Sequence, residues 1–208
     1  PLFFDIIKVL KKSDIMKNLT RMFIYICLFG LALGAFIYLG KKDYGTKISD
    51  AKKFSREYKI SENNKFKYVK SYEVLDIIEH KSGVILMGFS NNEWMQYYVR
   101  YLNEAVNEDD IKTIYYYDLL EDRTRKNKNF VKIEDIMSSY LKQTDDGKEY
   151  LFTPALVFVK NGQIINYDDE TSLVSYKTTP ESYWTLDQVT NFKNKISIYL
   201  GEEDYDNW

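Results

Sequence analysis

The sequence predicts an α/β domain with a mixed central sheet, preceded by one transmembrane helix. Three stretches carry that prediction. Gly83–Leu102, GVILMGFSNNEWMQYYVRYL, reads as a buried strand, a tight polar turn and a helix that starts at the turn. Phe152–Val159, FTPALVFV, reads as another strand entered through a Thr-Pro pair, and Phe23–Leu39, FIYICLFGLALGAFIYL, is an unbroken uncharged run. The strand Val84–Phe89, the helix Glu93–Val106 and the strand Ile111–Asp118, in that order, form a parallel unit with a right-handed crossover. Lys160-Asn161-Gly162 joins Ala155–Val159 to Gln163–Tyr167, and Asn-Gly is a type I′ hairpin signal because both residues tolerate positive φ.

Composition limits the function classes. The 208 residues suffice for one domain of ordinary size plus an appendage. A formal net charge of −2 gives no reason to expect nucleic acid. The basic run Arg123, Arg125, Lys126 and Lys128 lacks any accompanying nucleic-acid pattern and reads as solvated surface. The single cysteine, Cys27, lies inside the apolar run. No intramolecular disulfide is possible, so a self-contained dithiol oxidoreductase is excluded while the redox compartment stays open. Nineteen tyrosines suit amphipathic packing, with a surplus fitting a protein interface.

Along the chain, residues 1–21 form a basic amphipathic segment. Its start, Pro1–Lys12, suits either the membrane interface or a short helix packed on a partner. Residues 22–40 form the anchor. The uncharged run is at the short end of a membrane span, and tyrosines near its ends suit interfacial positions. It lacks a small-residue cleavage signature, which favours retention over removal. Gly30 and Gly34, with Ala32 and Ala35 nearby, give it a small-residue face on which another membrane helix can pack. Residues 41–64 read as a juxtamembrane linker containing a short exposed helix, Ser49–Tyr58.

The folded domain spans 65–201. Phe66–Val69 is its edge strand, and Ser71–His80 its first helix, with Val74, Leu75, Ile77 and Ile78 inward. Residues 119–148 form a mostly polar insertion with a helix near Ile133–Leu141. Ser172–Trp184 is irregular. Thr185–Leu200 is a terminal helix, with Leu186, Val189, Phe192, Ile196 and Leu200 at helical spacing and Gly201 as its stop. An acidic tail, 202–208, follows and offers Trp208 to a partner.

At the centre of the chain, Ser90 followed by Glu93 fits a capping box, and another register places Asn92 at the cap. Asp168, Asp169 and Glu170 lack the spaced ligands of a calcium loop. His80, the only histidine, reads as a helix end, so neither a metal cluster nor a Ser-His-Asp set is expected. No cofactor is called for.

Strand, turn, helix start and Thr-Pro together resemble the active-site layout of thioredoxin-like proteins. The likeness is nearest to those of Gram-positive bacteria that include bacteriocin-transport accessory proteins, with the pattern G-F-x-x-C-x-W-C. Gly88, Phe89 and Trp94 match that pattern, whereas its two cysteine positions fall on Asn92 and Met95. The resemblance covers roughly Lys65–Leu200 and implies that Pro154 is a cis-proline facing the helix start. In the redox relatives this surface receives an extended substrate chain, which implies a protein- or peptide-contact site at Asn92, Trp94, Met95, Thr153 and Pro154. The positive-inside rule does not decide orientation, since basic residues flank both sides of the run. The tail-anchor-domain layout is similar to the signal anchors of this group and implies an extracytoplasmic domain on a single-pass cell-membrane protein.

The resulting expectation is a non-enzymatic, redox-inactive accessory subunit that binds or stabilises a membrane protein complex, in export or secretion. The alternatives are an oxidoreductase borrowing a partner's cysteine and a chaperone or immunity-like peptide binder. Peptide and lipid bilayer are the other expected contacts.

Overall fold

Five strands form a mixed sheet in the order β1-β3-β2-β6-β7 in the computed structural model, which describes residues 48–108, 111–145, 147–175 and 177–201. The strands are β1 (Phe66–Tyr68), β2 (Gly83–Gly88), β3 (Ile114–Asp118), β6 (Ala155–Lys160) and β7 (Gln163–Asp168). β1, β3 and β2 run parallel, and β6 pairs antiparallel with β2 and β7. A separate two-stranded ribbon, β4 (Lys142–Gln143) and β5 (Glu149–Tyr150), precedes β6. The helices are α1 (Asp50–Tyr58), α2 (Ser71–His80), α3 (Glu93–Glu108), α4 (Leu120–Thr124), α5 (Lys128–Met137), α6 (Pro180–Tyr183) and α7 (Leu186–Gly201). The mixed α/β class expected from the sequence is observed.

The continuous apolar runs of β2 and β6 are buried on both sides, as a central pair covered by helices requires. One core lies between the sheet and α1, α3 and α7, and the other between the sheet and α2 and α5. The hairpin between β6 and β7 has Asn161 and Gly162 at φ 50° and 73°, as the Asn-Gly pair predicts. Gly162 is required for a second reason, since a Cβ there would come within 2.4 Å of the Glu79 carbonyl oxygen.

Several boundaries differ from the sequence reading. α1 does not belong to an exposed linker. Phe54 and Tyr58 are buried in the first core, with Phe54 stacked on Phe66 at 4.1 Å, so the folded unit begins near Ile48. The 119–148 segment is not merely solvated. Its helix starts at Lys128 rather than Ile133, because Asn127 caps it and Phe130, Ile133 and Met137 fall on one buried face. The stretch before α7 contains α6 and the buried Trp184. Leu186, expected inward, is 82 % exposed, because at helical spacing it falls to one side of the stripe on which Phe192, Ile196 and Leu200 are buried.

The amphipathic start, the anchor with Gly30 and Gly34, Cys27 and the acidic tail lie outside the described residues. Among the described residues, no helix is long and apolar enough to cross a membrane.

Candidate functional site

The carboxyl ends of β2 and β3 and the entry to β6 meet at one edge of the sheet. Open α/β sheets bind ligands in the crevice outside the carboxyl ends of their strands, where the strand order reverses. Gly88 ends β2 beside Asp118, which ends β3. The chain then turns through Phe89–Asn92, with Asn92 N–H donating to Phe89 O at 3.2 Å.

The helix start is organised by Asn92 rather than by the Ser90–Glu93 capping box. Its Oδ1 accepts the Trp94 backbone N–H at 2.9 Å, which satisfies one of the donors a helix N-terminus leaves open. The same side chain's Nδ2 donates to Thr153 O at 3.2 Å and to Thr153 Oγ1 at 3.3 Å. One amide thus joins the helix start to the residue preceding Pro154. The Thr153-Pro154 bond is cis, and Pro154 itself is buried.

Trp94 is half-buried, its ring edge-on to Tyr183 with centroids 5.6 Å apart. Met95 must be corrected. It was expected on the contact surface with Asn92 and Trp94, yet it is fully buried in the first core. The helical turn that leaves Trp94 at the boundary rotates the next residue inward, and Gly88 makes room for it. A Cβ on Gly88 would approach Met95 Sδ to 2.3 Å. Of the five candidate contact residues, Asn92 and Thr153 are joined and partly exposed and Trp94 adjoins them through the helix backbone, whereas Pro154, like Met95, is buried and supports the surface instead of presenting itself on it.

Two further side chains shape this edge, and neither was legible as part of it. Gln96 Nε2 donates to Ser90 O at 2.8 Å and to Glu57 O at 3.2 Å, tying the turn to the end of α1. Arg123, read as part of a solvated basic run, is half-buried. It donates to Leu151 O and to Tyr150 Oη, the latter at 3.1 Å, and its guanidinium lies 4.9 Å from the Tyr150 ring centroid. Arginine's planar, multi-donor head allows both the hydrogen bonds and the stacking. It thereby fixes the strand-entry loop that delivers Thr153. Tyr150 and Phe152 pack edge-on at 4.9 Å along that loop.

The chemistry available is limited. Asn92 carries an amide and Met95 a buried thioether, neither of which can exchange a disulfide. Burial pushes the Asp118 carboxyl above its usual range, an effect opposed by the Leu120 N–H it accepts and reinforced by nearby Glu57. The described residues contain no grouping of three or more His, Cys, Asp or Glu suited to a metal ion. Asp168 and Asp169 are instead paired with Lys195 and Lys142. What this end of the sheet presents is a partly exposed polar and aromatic surface that includes Trp94. The chain matches no family model and no curated protein.

Proposed function

We propose that this chain is a redox-inactive, thioredoxin-like accessory subunit that binds or stabilises a membrane protein complex, in export or secretion. In this reading residues 22–40 anchor it as a single-pass protein, and the folded domain lies outside the cytoplasm. The observation that carries the reading is the Asn92–Thr153 bridge. It holds the Asn92 amide against the residue that precedes a cis-proline, and the strand order of the sheet is compatible with a thioredoxin-like domain, whose helix start would carry a thiol there. An amide held at both ends keeps the surface in shape without supplying a nucleophile. Trp94 beside it offers the large, rigid apolar area that interface anchors use.

The test is extraction of the full chain in mild detergent, followed by identification of stoichiometric partners. Copurification that is lost on Trp94→Ala, or on Gly30→Leu with Gly34→Leu, is the expected result. Recovery of the chain as a monomer overturns the proposal. A catalytic turnover that depends on Asn92, Glu93 or Asp118 replaces it with an enzymatic function.

A further inference from the structure

The tryptophan beside Asn92 is tied through Tyr183 of α6 to a partly buried ionic cluster at the end of β7. Asp168, 5 % exposed at the end of β7, and Glu170, just beyond it, both pair with the Lys195 ammonium of α7. Each carboxylate also accepts a tyrosine hydroxyl on its other oxygen. Tyr98 donates to Asp168 Oδ1 at 2.9 Å, and Tyr183 donates to Glu170 Oε1 at 2.7 Å. Tyr183 is the residue whose ring meets Trp94. Trp94 and Tyr98 are four residues apart on α3, hence neighbours on one helix face. The cluster therefore reaches that face twice, directly through Tyr98 and through the Tyr183 ring at Trp94.

We propose that Lys195 is a positioning residue for Trp94: its ammonium holds Asp168 and Glu170 together, which fixes Tyr183 and keeps the indole in one orientation. Two carboxylates side by side repel unless a cation lies between them. Lys195 supplies that cation, and attraction to Asp168 and Glu170 outweighs its own burial to raise its pKa. The other charged pair near this turn is self-contained, since Lys142 bonds Asp169 at 2.7 Å and also meets Ser172. Tyr98 and Tyr183 stay neutral, held above the usual tyrosine range first by burial and then by the carboxylates they meet. The consequence for partner binding rests on the contact-surface reading above, whereas the positioning itself does not.

The measurement is fluorine NMR of the full chain labelled with 5-fluorotryptophan, with the Trp94 resonance identified by its disappearance in Trp94→Phe. In the native chain it is a single line, because the Tyr183 ring meets the indole in one arrangement. Lys195→Met makes it shift or split, and Lys195→Arg restores the single native line. Tyr183→Phe, which leaves the charges in place, displaces the line without splitting it. A Trp94 line unmoved in Tyr183→Phe overturns the proposal, as does a native-like single line in Lys195→Met. If Lys195→Met does not fold, Tyr183→Phe decides alone. An unmoved line leaves the contact-surface reading standing, whereas a displaced line with unchanged partner capture removes Trp94 from that surface.

Discussion

Consecutive residues of β6 face two different interiors. Leu156 and Phe158 enter the core beneath α1, α3 and α7, while Ala155, Val157 and Val159 enter the core beneath α2 and α5. The first is built from rings: Phe54 stacks on Phe66, Tyr116 meets Phe54 edge-on at 4.9 Å, and Tyr98 meets Phe192 at 4.8 Å. Its hydroxyls are paired, with the Tyr58 and Tyr116 oxygens 2.7 Å apart. The second is mainly aliphatic. Aliphatic packing is non-directional, so that core holds its helices by volume, whereas ring geometry and hydroxyl bonds fix orientations. The helix carrying Trp94 lies over the ring-built core, and Leu151, which leads to Thr153, lies in the aliphatic one. Asn92 bonds across between the two.

The contrast can be broken by substitution. Phe54→Ala removes a fully buried ring that holds α1 to the sheet and is expected to cost about 3–5 kcal/mol by denaturant unfolding. Ile85→Val on the aliphatic side is expected to cost about 0.5–1.5 kcal/mol. A Phe54→Ala loss no larger than that of Ile85→Val would mean that α1 is not integral to the fold.

Gly88→Ala drives a methyl against Met95 and is expected to destabilise by about 1–3 kcal/mol. The flexible thioether can retreat, so adding Met95→Leu changes the size of the penalty if the contact is responsible. Penalties that simply add would place the cause elsewhere.

Asn92→Ala deletes a helix cap and the link to Thr153, with an expected loss of about 0.5–2 kcal/mol. Hydrogen exchange sharpens this result. Faster exchange is expected both at the α3 start and at residues 150–153, and a change confined to the helix would show that the two cores are not joined there.

The smallest effect is expected from Asp118→Asn, which retains an acceptor for the Leu120 N–H. The folded-state carboxyl holds its proton more tightly than the unfolded chain does. The stability gained by protonation is therefore fully present below the ordinary carboxylate range and lost as pH rises through the raised folded value. At neutral pH the ionised group is a burden, so Asp118→Asn raises the melting temperature slightly there, and the gain fades on acidification. A variant whose gain is the same at neutral and acidic pH would show that the carboxyl charge plays no part.

How much of this could be read in advance depended on the range of the interaction. α2 was legible because Val74, Leu75, Ile77 and Ile78 repeat at helical spacing, and all four are buried. The β6–β7 turn was legible because two adjacent residues determine it. α1 was misread as exposed because its mean composition is polar and only Phe54 and Tyr58 mark a buried face. Arg123 sits among exposed charges, and nothing local separates it from Arg125. At the site, Asn92 was legible as a helix-start residue, whereas its second bond reaches Thr153 across 61 residues.

The residues alone determined the α/β class, the Asn-Gly hairpin, the helix beginning near Asn92 and the lack of a thiol pair there, because each follows from identity or short-period patterning. Tertiary structure alone decided that Met95 turns inward while Trp94 stays at the boundary, that α1 joins the core, and that Lys195 lies between Asp168 and Glu170. Those outcomes depend on which faces of distant elements compete for the same buried volume and which charges are forced together when it fills.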